Sequence, residues 1–165
     1  GLIMGTRSGA VDASAVTFIA KKMGFTPSQM SDYLNKQSGF LGVSGISSDN
    51  RDITAAAKEG DKHAILAGEI LCYQIKKYIG SYTAVMNGLD AVIFTGGIGE
   101  NAWDLREAVC SDMGFFGIEI DGEKNKANNG KLCNISTADA KVQCWIVPTN
   151  EELLIARDTL NLISK

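Results

Sequence analysis

Histidine, proline, paired cysteines, long apolar runs and clustered basic residues are all scarce or missing in this sequence, and each absence narrows its function. His63 is the single histidine in 165 residues, so neither a histidine triad nor a histidine-cluster metal site can be built. Cys72, Cys110, Cys133 and Cys144 are scattered, and no pair has C-x-x-C spacing. The absence of that spacing argues against zinc or dithiol chemistry. Each cysteine sits among apolar neighbours, where a free thiol behaves as a small hydrophobe. Reduced thiols and a cytoplasmic location are expected. No apolar run approaches the roughly 18 residues of a spanning helix, and no signal peptide is visible, so no membrane role is expected. Sixteen Lys and Arg stand against nineteen Asp and Glu, a net charge of -3. Without a basic cluster, nucleic acid is not an expected partner.

What remains is the composition of a globular protein, 45% hydrophobic and 21% charged, long enough for one domain with a substantial core. The chain opens on Gly1-Leu2-Ile3-Met4, a core-like start expected of a piece of something longer. Asp12 and Gly24 bracket a short helix over Ala13 to Lys22, with Val16, Phe18 and Ile19 as its apolar positions. Thr26-Pro27-Ser28-Gln29 reads as a capping box with proline at the first helical position. Ser38 to Asn50 reads as loop or short turns, and Asp52 as the cap of a helix through Ala55-Ala56-Ala57. Lys62 to Met86 is the longest helical pattern, with Leu71, Ile75, Tyr78, Ile79, Tyr82 and Met86 as its apolar face. Short strands are expected at Val92 to Phe94, Ile118 to Asp121, Leu132 to Ser136 and Val142 to Val147. Helices are expected over Trp103 to Met113 and Asn150 to Ile163, with a polar helix or loop over Glu123 to Gly130. This alternation is an α/β pattern.

The most informative stretch is Asp90-Ala91-Val92-Ile93-Phe94-Thr95-Gly96-Gly97-Ile98-Gly99-Glu100-Asn101. It reads as a buried parallel strand, a glycine-rich turn and a helix starting near Asn101. Glycines let a ligand touch the backbone, and a helix start favours an anion. A tight turn without a ligand fits the same residues. Ala102 replaces the last glycine of G-x-G-x-x-G, and no G-K-[ST] follows, so neither phosphate motif applies. In Gly5-Thr6-Arg7-Ser8-Gly9, an arginine between glycines offers forked donors for carboxylate or phosphate, or is a surface residue in a turn. Ser47 to Asp52 could bind ribose or phosphate, or be a solvated helix cap. Thr149 and Glu152 have capping-box spacing, which leaves Glu151 free at the C-terminal end of a strand. Such a carboxylate could hold magnesium or merely suit the helix dipole.

Together, "MGTRSG" (Met4–Gly9), "SSDNRD" (Ser47–Asp52), "FTGGIGEN" (Phe94–Asn101) and "PTNEELLIARDT" (Pro148–Thr159) occur in this order. They resemble the C-terminal part of the acetate kinase family, which includes propionate kinases. The similarity extends through "SGFLGVSGISSDNRDI" and "KKYIGSYTAVMNGLDAVIFTGGIGEN". The resemblance implies a partial ribonuclease H-like α/β ATPase domain, shared with sugar kinases and actin. It also implies that residues 1–165 are the C-terminal nucleotide-binding domain, with the N-terminal domain absent. The implied reaction moves a phosphoryl group from ATP to acetate, giving ADP and acetyl phosphate. Arg7 then matches a catalytic arginine. Asp49, Asn50 and Arg51 match a nucleotide-binding segment, and Gly97, Ile98, Gly99, Glu100 and Asn101 an adenosine-binding turn. Glu151 matches a magnesium-linked glutamate. ATP or ADP, Mg2+, a small carboxylate and a second copy of the full-length chain are the implied cofactors and partners.

Ala10-Val11-Asp12-Ala13 departs from the family's Asp-x-Asp-Pro and loses one carboxylate and a proline. The family's phosphate loop, catalytic histidines, N-terminal magnesium ligand and catalytic aspartate would all precede Gly1. The isolated chain is therefore expected to bind nucleotide weakly and to be inactive. Two rivals stay open: a propionate or butyrate kinase, and a noncatalytic actin-like nucleotide-binding module.

Overall fold

Local capping chemistry sets most helix boundaries in the computed structural model, which describes residues 1–128 and 130–164. Asn129 and Lys165 lie outside the described residues. The chain forms two compact units, Gly1–Val85 and Met86–Lys165.

The first unit holds α1 (Ala13–Met23), α2 (Pro27–Lys36), α3 (Gly39–Ser44), α4 (Asn50–Lys58) and all but the last residue of α5 (Lys62–Met86). Asp12 caps α1 by accepting from the Ala15 amide, and Gly24 ends it in the left-handed region at φ 67°. Phe18 is 64% exposed, so Val16 and Ile19 carry the half-buried face without it. The Thr26–Gln29 capping box forms as the sequence suggests. The expected loop from Ser38 is instead helical over Gly39–Ser44, and Phe40 is its buried anchor. Removing that ring from water contributes roughly 1.5–3 kcal/mol. The reason it reads as a loop is physical. No side chain caps α3; the Ser38, Phe40 and Leu41 amides donate to the carbonyls of Thr6, Met4 and Gly5. The cap is supplied by distant chain, which a local motif search cannot see. Asp49, not Asp52, caps α4. In α5 the buried residues are Ala64, Ala67 and Leu71. Tyr82 and Met86, expected on the core face, are exposed.

The second unit contains β1 (Ala91–Phe94), α6 (Gly96–Asn101), α7 (Trp103–Cys110), α8 (Gly122–Ala127), β2 (Cys133–Asn134), β3 (Gln143–Ile146) and α9 (Glu151–Ile163). The sheet order is β1-β3-β2. β1 and β3 run parallel, with Ala91 opposite Gln143 and Phe94 opposite Ile146, while β2 is antiparallel to β3. β1 is buried on one face only: Phe94 is buried and Ile93 is 59% exposed. The expected strand at Ile118 to Asp121 reduces to single bridges, Ile118 to Val142 and Ile120 to Ser136. Val109, Met113, Ile118, Ile135, Cys144 and Ile146 are buried.

A buried cation organises this unit. Arg106 on α7 is 0% exposed. Its Nε donates to Asn125 Oδ1 at 2.7 Å and its Nη2 to the Asn125 carbonyl at 3.0 Å. Its Nη1 donates to the carbonyls of Gly99 at 2.8 Å and Glu100 at 2.9 Å. Asn125 returns a bond from Nδ2 to the Trp103 carbonyl at 2.8 Å. Burial draws the Arg106 pKa below its ordinary value, but a guanidinium stays protonated in proteins. Its charge therefore rests on oriented carbonyls, including two near the C-terminal end of α6, where the helix dipole is negative.

Replacing Arg106 with Ala leaves several buried acceptors without donors, each costing about 1–3 kcal/mol. The expected loss is ~3–4 kcal/mol of stability, read as a lowered urea midpoint. Arg106→Lys should recover only part, because one ammonium cannot span four acceptors. A midpoint unchanged in Arg106→Ala would contradict this role.

Candidate functional site

In the first unit, Arg7 sits on a loop pinned at several points. Met4 N donates to the Arg7 carbonyl, Ser8 N to Leu34 O, and Thr6 Oγ1 to Asn35 O. Gly39, at φ 66°, packs so closely that a Cβ there would clash with the Met4 carbonyl and lie 2.8 Å from that of Arg7. A Cβ on Gly5 would lie 2.6 Å from the Ser48 carbonyl. Gly39 thus brings the Arg7 loop against the start of α3, and Gly5 brings it against the segment carrying Asp49, Asn50 and Arg51. Arg7 itself is exposed, and among the described residues no ion pair or hydrogen bond holds its guanidinium. A rigid backbone thus carries an uncommitted cation.

The neighbouring segment is internally bonded. Asp49 Oδ1 accepts from the Arg51 amide at 2.8 Å and so starts α4. Its carboxylate also takes the Arg51 side chain, with Nη2 at 2.6 Å from Oδ2. Ser47 Oγ donates to Asp52 Oδ2 at 2.7 Å and accepts from Asp49 N at 3.1 Å. Asn50 opens α4 behind this cap. The Arg51 side chain hydrogen bond, more than any other cause, pulls the Asp49 carboxyl down from its ordinary 3.8 to about 2. Asp49 in turn raises Arg51. The Arg51 side chain is 89% exposed and that of Asp49 38%, so solvent screens the pair and this clasp adds little stability. It holds a guanidinium and a carboxylate together at a helix start.

In the second unit, the glycine run is helical rather than a turn preceding a helix at Asn101. Gly96 takes φ 71° after the extended Thr95, and α6 begins there. A Cβ on Gly97 would meet nothing within 4 Å, so its backbone is open to approach. Gly99 faces inward: a Cβ there would lie 3.3 Å from the Phe94 carbonyl carbon, which is why α6 can lie against β1. Ile98 is exposed. Asn101 Nδ2 folds back to donate to the Gly97 carbonyl at 2.9 Å. Glu100 Oε1 accepts from the Gly96 amide at 2.9 Å, the Thr149 amide at 2.9 Å and Thr149 Oγ1 at 3.0 Å. These bonds, with the Thr149 amide foremost, lower the Glu100 pKa.

The Thr149–Glu152 capping box does not form. Asn150 caps α9 by accepting from Leu153 N at 3.1 Å, because the Thr149 hydroxyl is already given to Glu100. Glu151 opens α9, exposed, and no hydrogen bond or ion pair among the described residues holds its carboxylate. Each unit therefore brings together two of the sequence-nominated segments. The residues missed by sequence reasoning are Arg106 and Asn125. One signal for Arg106 was available: it lies three residues before Val109 and four before Cys110, on the buried face of α7.

The Asp49 clasp has a testable pH signature. A carboxyl held below its unfolded value favours the clasped state above pH 3.8 and loses that preference as pH falls through about 2. Side-chain carbonyl NMR should give an Asp49 midpoint near 2. In Arg51→Ala the midpoint should rise toward 3.8, incompletely, because residue 51 keeps its backbone amide. A midpoint near 3.8 in the unaltered chain would dispose of the clasp.

Comparison with known proteins gives this geometry a context. The model of the acetokinase family matches residues 1–157. Acetate kinases of Bacteroides thetaiotaomicron and Acetivibrio thermocellus are 52% and 53% identical over 165 and 163 residues, or 100% and 99% of this chain. The chain spans 41% of the length of each. The crystal structure of Porphyromonas gingivalis acetate kinase superposes with a TM-score of 0.93 at 48% identity, covering 99% of this chain and 41% of that one. A propionate kinase from Francisella tularensis gives 0.86 at 40% identity, covering 94% and 39%. The fold is thus part of the ribonuclease H-like ATPase fold of acetate and sugar kinases and actin. A match running through Arg7, the Asp49–Arg51 cap, the α6 glycines and Glu151 leaves one assignment: the chain belongs to the acetokinase family.

Proposed function

We propose that residues 1–165 form the C-terminal nucleotide-binding domain of an ATP-dependent phosphotransferase that makes acetyl phosphate from acetate. An acetate oxygen attacks the γ-phosphorus of ATP, the bond from that phosphorus to the β,γ-bridging oxygen breaks, and ADP leaves with the electron pair. The observation that carries the proposal is Arg7, an uncommitted guanidinium on a loop hydrogen-bonded to Leu34, Asn35 and the start of α3 and closely packed at Gly5 and Gly39. Phosphoryl transfer asks a protein mainly for positioning and charge stabilisation. The Arg7 fork can orient the carboxylate and offset charge on the transferring group.

The other segments receive matching roles. Asp49, Asn50 and Arg51 supply a carboxylate, an amide and a guanidinium to the nucleotide. Gly97 exposes backbone to it, with Ile98 offering an apolar contact and Gly99, Glu100 and Asn101 completing the turn. Among the described residues no cluster of three or more His, Cys, Asp or Glu forms a metal cage. A lone free carboxylate at Glu151 suits magnesium, which takes most of its oxygens from water and substrate phosphates. Bound magnesium would neutralise phosphate charge; Glu151 would hold it directly or through water. We also read the full-length protein as a cytoplasmic homodimer; the four cysteines of residues 1–165 form no disulfide, in keeping with a reducing compartment.

A propionate substrate is the second reading, favoured by the 40% identity to the Francisella tularensis propionate kinase. Relative rates of the full-length protein on acetate, propionate and butyrate decide between them. In the same protein, Arg7→Ala should lower acyl phosphate formation roughly 10³-fold in a hydroxamate assay while nucleotide affinity changes little. Unaltered turnover would remove Arg7 from the catalytic machinery, and a full-length protein that forms no acyl phosphate would favour a noncatalytic nucleotide-binding module.

A further inference from the structure

Glu100 stands in the glycine turn assigned to the nucleotide, yet its carboxylate points at protein. Three donors converge on the single oxygen Oε1. One is the amide of Gly96, the first residue of α6; the other two are the amide and hydroxyl of Thr149, 49 residues away in sequence. Charge-assisted bonds of this kind are short and strong. Thr149 lies in the segment between β3 and α9, and Glu151 follows two residues later. Two residues of chain span at most about 7 Å. Asn150 between them is itself fixed by its cap to Leu153. Holding Thr149 therefore holds the start of α9, and with it the Glu151 backbone. A nucleotide could reach Glu100 only through Oε2, because Oε1 already carries three donors.

We propose that Glu100 is a positioning residue, a latch that ties the nucleotide-binding turn to the segment carrying the magnesium-linked Glu151, so that nucleotide and metal binding are coupled through Thr149. This rests on the phosphotransferase reading above. The latch explains why a glutamate follows the glycines: a shorter aspartate at this place would fall one methylene short of Thr149. It also explains the broken capping box, since the Thr149 hydroxyl serves the latch and Asn150 takes over the cap.

The test uses the full-length protein and three variants, Glu100→Ala, Glu100→Gln and Thr149→Val. Amide hydrogen exchange reads the latch without any ligand, and calorimetry reads ADP affinity with and without Mg2+. In Glu100→Ala, exchange at Gly96 and Thr149 should rise at least tenfold. ADP affinity should fall about tenfold with Mg2+ present, the scale typical of residues that orient a metal ligand, and less than twofold without it. Glu100→Gln, which keeps an acceptor oxygen, should recover part of both effects. Thr149→Val should reproduce the metal-dependent loss in milder form, and it serves as the readout if Glu100→Ala fails to fold. Equal losses of ADP affinity with and without Mg2+ would make Glu100 a direct nucleotide ligand and overturn the proposal. So would unchanged exchange, or raised exchange with unchanged affinities. A full-length protein that binds ADP normally but makes no acyl phosphate would defeat the phosphotransferase reading and leave the latch standing.

Discussion

The second unit depends on a guanidinium buried among carbonyls. Arg106 is charged, inaccessible and bonded to the end of α6 on one side and to Asn125 of α8 on the other. A buried charge is tolerable only when its donors are satisfied. That demand fixes the separation of three helices at once. The α6 carbonyls of Gly99 and Glu100 cannot turn away without abandoning a cation. The backbone of the glycine turn is thereby rigid on its inner side, while Gly97 remains open outward. Both properties suit the nucleotide-binding role proposed for this turn, because preorganised backbone does not have to be ordered when a ligand arrives.

The first unit reaches rigidity by another route. Its loop around Arg7 has little regular structure, but its carbonyls take the amides at the start of α3. Loop and helix satisfy one another: the helix start gains acceptors, and the loop gains a fixed path. Glycines at positions 5 and 39 permit the close approach that this exchange needs. The side chain of Arg7 stays uncommitted because backbone bonds and the Thr6 hydroxyl hold the loop. Arg51, by contrast, is already engaged by Asp49. One cation stands free and the other is held, and this difference supports distinct roles for them.

Much of this was legible in the chain. The caps at Asp12 and Thr26, the extent of α5 and the parallel strand before the glycines follow from local rules. So did the family, through four short segments in order. What was misread shares one cause. By local rules Asp52 reads as the α4 cap, Ser38 to Asn50 as loop and Thr149 as a capping-box residue. In each case another partner won: Asp49 takes the Arg51 amide, Thr6 and Met4 carbonyls start α3, and Glu100 captures Thr149. The apolar face assigned to α5 erred similarly. Periodicity marks where a face lies, but only packing tells how far along the helix it is covered.

By itself, then, the sequence determined the chemistry available: one free arginine between glycines, a polar helix start, an exposed glycine backbone and a carboxylate after a strand. Short-range hydrogen bonding and hydrophobic periodicity act within a few residues, so they can be read from a linear string. The tertiary structure decided which of these groups are spent and which are free. That choice depends on bonds between residues dozens of positions apart, such as Glu100 with Thr149, Arg106 with Asn125 and the Arg7 loop with α3. Their formation is governed by the desolvation cost of leaving a donor or acceptor unpaired.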